Sequence, residues 1–560
     1  MSAHLDSFVR DRLPPAESQP EFRFDLPELQ YPERLNAAVE LIDRHDPRRL
    51  AVMNDAGSWT YGQMRSLSDR IARLLVEEEG LVPGNRVLLR GPNGAMLFAA
   101  WLGVLKSGGI VVATMPILRA GEIATILDRA QVTHAIVDDR CLDDYHPGAA
   151  EAGTVRSLLT YNGDAGGGDL ERRLGHVLDG FTPADTHRDD VALIAFTSGT
   201  TGKPKGCVHY HRDVLAPADA FARHVLRPLQ DDRWACSAPI AFTFGLGMLL
   251  IFPWRFGGTA VTIETPGPKP LLEAIGRHRV TTLATAPTAY KAMLSLLCAP
   301  AQAEAQVTAG LDPRLRGDTD VFDLSSLHTC VSAGEHLPAA TWHAWHEATG
   351  LRIVDGIGAT EMMHIFISAS GDDIRPGATG KAVPGYVAAV LDEKGRAMDT
   401  GTGRLAIKGP TGCRYFDDER QANYVQRGWN VTGDTYRLDE DGYFWFVARS
   451  DDMIISSGYN IAAPEVENAL HAHPAVQECA VIGVPCEKRG QRVKAFIVAT
   501  AGYDADLRLT ALLQEHVKAT IAPYKYPRDV EFVDALPKTA TGKLQRFALR
   551  NSPAISTRSS

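Results

Sequence analysis

Short apolar strands alternate with helical segments over most of residues 50–400, and this alternation limits the possible folds more than any other feature of the chain. "NRVLLRG" indicates a strand, "AMLFAAWLGVLKSGG" a helix that stops at glycine, and "IVVAT" and "THAIVDD" two further strands with a helix between them. Such alternation is typical of parallel sheets covered by helices. The predicted fold class is α/β, with helix-covered, largely parallel sheets in a large N-terminal domain.

The composition changes near residue 449, where "VARSDDMIISSGYN" gives a charged turn and a loop before a helix that starts at Pro464. A strand, "CAVIGVP", follows, so the sequence predicts a small mobile α+β domain. We place the N-terminal domain at 1–449 and the C-terminal domain at 450–560, with a hinge at "RSDD". Residues 299–320 are rich in Ala, Gly, Asp and Pro, which predicts a surface insertion.

Charge and cysteine usage exclude several classes of protein. The 560-residue chain has a net charge of −10, which argues against a general nucleic-acid or anionic-membrane binder. None of its eight cysteines forms a C-x-x-C pair, and scattered thiols in a chain of this size are typical of a reducing compartment. The N-terminus lacks the blocks of a signal peptide, and the apolar stretches are too short to span a bilayer. We therefore expect a soluble, cytoplasmic protein.

The stretch "TSGTTGKPKG", residues 197–206, directly follows the apolar strand "VALIAF". Its glycines allow close backbone approach to a ligand, its hydroxyls donate hydrogen bonds to oxygen, and its lysines add positive charge, which suits a polyphosphate. The spacing differs from a Walker A loop, because only two residues separate its glycines and proline follows the lysine. The alternative is a solvated surface loop, but the preceding strand favours a different kind of phosphate loop.

Three further motifs follow in a fixed order. "GIGATEMM" places Glu361 after Thr360 behind a glycine-rich turn, and "TGD" gives Asp434, with Arg449 fifteen residues later. "PKTATGK" places Lys543 in a polar turn near the C-terminus. Each motif alone is compatible with a turn, a helix cap or a surface lysine. All four motifs in this order over roughly 350 residues indicate one shared function.

With these motifs, nearly the whole chain resembles the adenylate-forming superfamily of acyl- and aryl-CoA synthetases, luciferases and peptide-synthetase adenylation domains. The resemblance implies that a carboxylate attacks the α-phosphate of ATP, which releases pyrophosphate and leaves an acyl-adenylate. A thiol then attacks the activated carbonyl. Two anions must meet in the first step, so positive charge and Mg²⁺ are needed. The cofactors that the resemblance implies are therefore ATP, Mg²⁺ and coenzyme A.

The resemblance assigns each part of ATP to its own residues. Thr360 would lie near the α-phosphate, Asp355 and Gly356 near adenine, and Asp434 and Arg449 at the ribose. The residues that would hold the β- and γ-phosphates are Thr197, Ser198, Gly199, Thr200, Thr201 and Lys205. The implied catalytic residues are Thr200, Glu361, Gly458 and Lys543. Glu361 would also help to hold Mg²⁺, and Lys543 would bridge the carboxylate and the α-phosphate.

The resemblance further implies that the small domain rotates between the two half-reactions. Asp451 would be the hinge residue. Lys543 would leave the site on rotation, and the "SSGYN" loop would bring Gly458 beside the channel for the pantetheine arm of coenzyme A.

Two segments are expected to line the acyl pocket, "SAPIAFTFGLGMLLIFPW" and "VSAGEHLP…DGIGATEMMHIF". They carry aromatic and small residues with few charges, which predicts a short, flat, apolar pocket. "GIGATEMMHIF" resembles the benzoate–CoA ligase branch, and "APIAFTFGLG" with "GCVHYHRDVLAPAD" is most similar to 2-aminobenzoate (anthranilate)–CoA ligases. The residues implied to touch the ring or its substituents are Ala238, Phe244, Ala333, Gly334, Gly358 and His364.

The sequence thus predicts an ATP-dependent aryl-CoA ligase that acts on a small aromatic acid, 2-aminobenzoate. Benzoate or hydroxybenzoate ligase activity remains an alternative, as does a stand-alone adenylation enzyme that loads a separate carrier protein. A luciferase-type oxygenase and a non-enzymatic binding protein are further alternatives. The histidine pairs in "HYH", "HAH" and "WHAWH" lack other ligands at convincing spacing, which favours structural roles over a zinc site.

Overall fold

The computed structural model describes residues 1–162, 168–197, 204–307, 322–449, 452–456, 459–486, 490–521, 523–538 and 544–550. Its contacts divide the chain into two compact units. The first unit comprises Met1–Ala388 and Ile407–Asn430, and the second comprises Ala389–Ala406 and Val431–Ser560.

The larger sheet of the first unit has nine strands and is parallel through its centre. Their spatial order is Lys381–Ala382, Ile365–Ser368, Ile353–Gly358, Thr329–Ser332, Thr282–Thr285, Arg233–Cys236, Thr259–Val261, Leu50–Asn54 and Gly57–Thr60. The first two strands and the last pair antiparallel to their neighbours. The six central strands are parallel, so their carboxyl ends all lie at one edge of the sheet.

The second sheet of this unit has six strands. Their spatial order is Ser157–Tyr161, His134–Asp138, Arg86–Arg90, Ile110–Thr114, Val191–Thr197 and Lys205–Tyr210. The first five strands are parallel, and the last two form an antiparallel pair in which Thr197 stands opposite Lys205. The ends of the loop "TSGTTGKPKG" are therefore fixed by one pair of strands.

Amphipathic helices cover both sheets. The α-helices of the described residues are Tyr61–Glu77, Ala95–Lys106, Ala120–Ala130, Leu142–Ala152, Asp169–Leu174, His211–Pro217, Thr243–Leu246, Phe252–Phe256, Pro268–His278, Pro287–Val307, Ala339–Thr349, Gln421–Tyr424, Ala463–His471, Leu507–Thr520 and Arg546–Arg550. π-helical turns span Val39–Asp43, Ala218–Leu226 and Gly247–Ile251. 3₁₀ turns span Arg10–Arg12, Ala16–Ser18, Pro27–Leu29, Asp139–Cys141, Thr360–Met362, Gly371–Asp373 and Pro523–Lys525.

Local sequence explains why these helices start and pack as they do. The first long helix begins at a capping box, in which Gln63 N–H donates to Thr60 Oγ1 and the Thr60 N–H donates to the Gln63 side chain. The helix Ala120–Ala130 buries Ile123 and Leu127 against Val112 of the six-stranded sheet. Apolar burial of this kind supplies most of the helical stability.

The remaining strands fall between residues 387 and 532 and are divided between the two units. Before residue 450 they are Val387–Leu391, Ala397–Met398, Gly401–Lys408, Val425–Gln426, Trp429–Leu438 and Phe444–Arg449. A five-stranded sheet follows, formed by Tyr459–Ala462, Met453–Ser456, Gly490–Ala499, Val476–Cys486 and Asp529–Phe532. Val466 and Leu470 of one helix pack on Val481 and Ile497 of this sheet.

The predicted fold class is confirmed, because helices cover largely parallel sheets in the larger unit and the smaller unit mixes helices with a mainly antiparallel sheet. The compact units differ from the predicted domains of 1–449 and 450–560, since 389–406 and 431–449 group with the C-terminal residues. The mobile boundary near 449 stays a prediction. The surface insertion expected at 299–320 stays a prediction, because residues 299–307 end the helix Pro287–Val307 and 308–320 lie outside the described residues.

Candidate functional site

Several of the predicted residues lie just beyond the carboxyl ends of parallel strands in the nine-stranded sheet. Ala238 follows the strand Arg233–Cys236, Ala333 and Gly334 follow Thr329–Ser332, and Gly358 ends Ile353–Gly358. In open α/β sheets, ligands bind in crevices at this edge. The fold thus brings four of the six predicted acyl-pocket residues to one edge of one sheet.

A compact polar group surrounds Glu361, which lies in the 3₁₀ turn Thr360–Met362 and is 7% exposed. The hydroxyl of Tyr415 donates a short hydrogen bond to Glu361 Oε1. The same hydroxyl accepts a hydrogen bond from Lys205 Nζ at 3.0 Å, while Lys205 Nζ lies 4.0 Å from Glu361 Oε1. A cation and a carboxylate assigned to phosphate and metal binding are therefore neighbours, joined by one phenol.

Thr360 and Thr197 complete the described part of the predicted phosphate site. The Thr360 carbonyl accepts a 2.8 Å hydrogen bond from His209 Nε2, which ties this turn to the strand Lys205–Tyr210. The Thr197 hydroxyl, at the carboxyl end of its strand, is shielded from solvent and has no hydrogen-bond partner among the described residues. A hydroxyl in this state can donate to a ligand oxygen without losing another bond.

Asp355 and Gly356 lie on the strand Ile353–Gly358, and Asp355 stands opposite Ser332 on the neighbouring parallel strand. Burial raises the pKa of Asp355 to about 8. A protonated carboxyl group can donate one hydrogen bond and accept others, as binding of an adenine edge requires.

His364 lies in an aromatic cluster that we define as Phe221, Phe244, Phe252 and His364. Its ring centroid is 5.7 Å from Phe221, 5.6 Å from Phe244 and 4.5 Å from Phe252. Burial lowers the pKa of His364 to about 3, so the ring is neutral at physiological pH. Its Nε2 donates to the Phe244 carbonyl at 3.4 Å. Its Nδ1 is therefore an acceptor, and it has no partner among the described residues.

Two glycines allow His364 to occupy this position. A Cβ atom at Gly247 would lie 2.4 Å from His364 Cδ2, so only glycine leaves room for the imidazole there. A Cβ atom at Gly358 would lie 2.8 Å from the His364 carbonyl oxygen. Gly247 thus leaves room for the ring of His364, and Gly358 leaves room for its backbone.

Asp434 and Arg449, the predicted ribose-binding pair, belong to the second unit. They stand directly opposite each other on the antiparallel strands Trp429–Leu438 and Phe444–Arg449, with Arg449 Nη1 3.6 Å from Asp434 Oδ1. The Arg449 side chain is half exposed and the Asp434 side chain is largely buried. The pairing of these two motifs, predicted only by family resemblance, thus has a direct basis in strand register.

The other predicted residues lie outside the described residues. These are Ser198, Gly199, Thr200 and Thr201 of the phosphate loop, the hinge residue Asp451, and Gly458 and Lys543 of the C-terminal domain.

Tyr415, Phe221 and Phe252 contact predicted site residues, although sequence reasoning did not select them. Tyr415 lies 54 positions after Glu361, and its contact depends on an antiparallel bridge between Cys207 and Tyr415. The sequence around "GCRYF" carries no spacing signal that predicts this bridge. Phe252 lies within the segment predicted to line the pocket, so the composition of that segment was the available signal.

The described residues contain neither a metal-site cluster nor a membrane-spanning helix. No group of three or more His, Cys, Asp and Glu side chains there has the arrangement of a metal site. Nor does any helix within the described ranges have the length and apolar character needed to cross a membrane. All eight cysteines fall within the described ranges and none forms a disulfide.

Comparisons with known proteins identify the family of this chain. Residues 40–415 match the AMP-binding enzyme family and residues 465–543 match the AMP-binding enzyme C-terminal domain. The chain is 36% identical to benzoate–CoA ligase of Thauera aromatica over 535 residues, which cover 94% of this chain and 98% of the relative. The chain therefore belongs to the AMP-binding enzymes, in the benzoate–CoA ligase branch of the adenylate-forming superfamily.

Two solved structures are similar over nearly the whole chain. The anthranilate CoA ligase AuaEII in complex with anthranoyl-AMP has a TM-score of 0.84 at 33% identity, covering 94% of this chain and 98% of its own. A benzoate CoA ligase from Burkholderia xenovorans LB400 has a TM-score of 0.80 at 31% identity, covering 92% of this chain and 100% of its own. An anthranilate ligase and a benzoate ligase are therefore both similar to this chain.

Proposed function

We propose that this chain is an AMP-forming aryl-CoA ligase that adenylates 2-aminobenzoate and transfers the aryl group to coenzyme A. The ligase class is supported by membership of the AMP-binding enzymes and by similarity to benzoate and anthranilate ligases. The choice of 2-aminobenzoate is supported by one observation above all, the buried Nδ1 acceptor of a neutral His364 in an aromatic cluster.

The aromatic cluster suits an ortho-amino group better than an unsubstituted ring. The amino group is a hydrogen-bond donor and matches Nδ1 of His364, which has no partner among the described residues. Benzoate leaves that acceptor unsatisfied, and an unmade buried hydrogen bond costs about 1–3 kcal/mol. Phe244, 5.6 Å from the imidazole ring, offers an apolar face for the aryl ring.

The polar group at Glu361 suits the triphosphate. Lys205 supplies positive charge, the Thr197 hydroxyl supplies a donor, and the Glu361 carboxylate supplies oxygen ligands for a hard divalent cation. Magnesium, when bound, would offset the negative charge of the phosphates. The residues around Glu361 therefore fit a metal–triphosphate group. Asp355 and Gly356 are proposed to bind adenine, and the pair Asp434 and Arg449 is proposed to bind the ribose.

In the first step, a carboxylate oxygen of the acid forms a bond to the α-phosphorus, and the bond to the pyrophosphate oxygen breaks. Thr200, Thr201, Ser198 and Gly199 are proposed to hold the leaving pyrophosphate and Lys543 to bridge the two reacting anions. In the second step, the thiolate of coenzyme A attacks the carbonyl carbon and AMP leaves. Gly458 is proposed to border the thiol channel after rotation about Asp451.

Pyrophosphate release tests this proposal directly. The assay uses ATP and Mg²⁺ with 2-aminobenzoate, benzoate, hydroxybenzoates, phenylacetate, hexanoate or palmitate, each with and without coenzyme A. We expect the highest kcat/KM with 2-aminobenzoate and sustained turnover only when coenzyme A is present. A preference for palmitate would refute the aryl assignment. A single burst that coenzyme A does not change would indicate another acceptor, such as a carrier protein.

A further inference from the structure

Tyr415 lies between the two oppositely charged side chains assigned to ATP and its cation. It is 1% exposed, and its hydroxyl accepts from Lys205 Nζ at 3.0 Å and donates to Glu361. The Lys205 ammonium also lies 4.8 Å from the centre of the Tyr415 ring, a cation–π distance. One phenol thus contacts both charges.

The backbone fixes Tyr415 in this position independently of its hydroxyl. Cys207 and Tyr415 form an antiparallel bridge, and the Val208 N–H donates to the Arg414 carbonyl at 2.9 Å. The Tyr415 N–H donates to Gln421 Oε1, also at 2.9 Å. The segment that carries Tyr415 is therefore attached to the strand Lys205–Tyr210, so the backbones that carry the phenol and Lys205 are held side by side.

Without an intervening group, Lys205 and Glu361 would be expected to form a direct ion pair. Charge-assisted N–H···O contacts are typically about 2.7–2.9 Å long, whereas these two atoms lie 4.0 Å apart. A direct pair would use the lysine donors and carboxylate oxygens that phosphate and cation require. The Tyr415 hydroxyl can accept one bond and donate another at once, so it satisfies both groups while keeping them separate.

We propose that Tyr415 is a positioning residue that holds Lys205 and Glu361 apart, so that Lys205 stays available to the β- and γ-phosphates and Glu361 to the cation. This inference rests on the proposed function of the same site. It predicts that the Tyr415 hydroxyl contributes to the affinity for a nucleotide that carries a triphosphate and a cation. It should not contribute to the affinity for a nucleotide that lacks them.

Equilibrium binding without an acid substrate separates these cases, because no turnover occurs. Affinities for ATP with Mg²⁺ and for AMP are measured by calorimetry on the full chain and on Tyr415→Phe, which keeps the ring. We expect the Kd for ATP with Mg²⁺ to rise about tenfold and the Kd for AMP to change less than about twofold. Equal losses for both nucleotides would indicate a structural role, and unchanged affinities would also overturn the inference.

Tyr424→Phe is the matched control, because the Tyr424 ring packs edge-on against Tyr415 with centroids 5.9 Å apart. Removing that neighbouring hydroxyl should leave both affinities unchanged. A loss of ATP affinity as large as that of Tyr415→Phe would show that any hydroxyl deletion here disturbs the site, which contradicts a specific role for Tyr415.

A double-mutant cycle with Lys205→Met tests the separation itself. If Tyr415 prevents collapse of Lys205 onto Glu361, then adding Tyr415→Phe to Lys205→Met should raise the Kd for ATP with Mg²⁺ by less than about twofold. Full additivity of the two losses would overturn the inference.

The proposed function is checked in the same preparation by pyrophosphate release from wild type with 2-aminobenzoate. If wild type adenylates the acid but Tyr415→Phe binds ATP normally, only the role of Tyr415 fails. If wild type does not bind ATP, both proposals fail.

Discussion

Glu361 and His364 are three residues apart in the chain, yet their side chains occupy opposite environments. Glu361 accepts a hydrogen bond from Tyr415 and lies 4.0 Å from the Lys205 ammonium. His364 packs among three phenylalanines and has a pKa lowered to about 3 by burial. The first environment stabilises a charge, and the second excludes one.

The chain changes direction between these two environments at Met363. This residue has φ of 66°, in a region that non-glycine residues rarely adopt. Backbone in such a conformation persists where the surrounding structure enforces it, often next to a functional site. The comparison indicates that one short turn separates a carboxylate that lies beside a cation from an uncharged ring, the two side chains proposed for the nucleotide and for the acid.

The largest effect should come from removing the charge of Glu361. Glu361→Gln keeps an oxygen acceptor for Tyr415 but loses the negative charge proposed for the cation. We expect kcat/KM for ATP to fall about 100-fold or more, because electrostatic stabilisation of this kind contributes several kcal/mol. Pyrophosphate release measures this, with the exposed helix residue changed in Glu347→Gln as the control. A fall of less than threefold would remove Glu361 from the proposed mechanism.

The next largest effect should concern the choice of acid. His364→Phe replaces the Nδ1 acceptor with an apolar ring in the same aromatic cluster. We expect the ratio of kcat/KM for 2-aminobenzoate to that for benzoate to fall about tenfold, because one hydrogen bond to the amino group is lost. The KM for ATP should not change. An unaltered ratio would mean that His364 does not recognise the amino group, and the exposed His343→Phe provides the control.

A smaller effect is expected from displacing the ring without removing it. Gly247→Ala places a methyl group 2.4 Å from His364 Cδ2, so the imidazole must shift. Overpacking of this kind destabilises by about 1–3 kcal/mol, and we expect the KM for 2-aminobenzoate to rise a few-fold. In Gly121→Ala, the added methyl group meets open space in the helix Ala120–Ala130, so stability should stay equal or improve. Equal stability and an equal KM for 2-aminobenzoate in the two variants would show that His364 is not tightly packed.

The same comparison shows what could be predicted from the sequence. The strands Arg86–Arg90 and Ile110–Thr114 and the helix Ala95–Lys106 follow local patterning, because each depends on its own residues and on burial. The motif order identified the family, which the similar ligases confirm. The assigned roles of individual site residues stay predictions.

Contacts between distant segments could not be derived from local patterning, although the resemblance placed Phe244 and His364 in one pocket. The Tyr415–Glu361 hydrogen bond depends on strand register, and the contact between Phe244 and His364 spans 120 positions. The surface insertion expected at 299–320 also stays a prediction. Residues 299–307 form the end of the helix Pro287–Val307, which their alanines favour. Residues 308–320 lie outside the described residues.

The smallest expected effect is on stability as a function of pH, and its sign follows from the aromatic cluster. An unfolded histidine has a pKa of about 6.5, whereas burial lowers the pKa of His364 to about 3. Between these values the unfolded chain binds more protons, so the free energy of unfolding falls as the pH drops below 6.5. His364→Phe lacks this dependence. When the pH is lowered from 7 to 5.5, the free energy of unfolding of His364→Phe should therefore rise by about 1 kcal/mol relative to that of wild type. Denaturant unfolding measures both values.

The same uncharged ring predicts how selectivity responds to pH. Because His364 remains neutral down to about pH 3, the preference for 2-aminobenzoate over benzoate should stay constant between pH 5.5 and 8. A protonated imidazole would lose its acceptor and repel the amino group's hydrogens, so a ratio that falls below pH 6.5 would show that the ring titrates in the working enzyme. That result would mean that the surroundings of His364 do not exclude a charge. A constant ratio, together with the loss of preference in His364→Phe, would show that a neutral imidazole recognises the amino group of the acid. The charged side chains near Glu361 would then have no part in that preference.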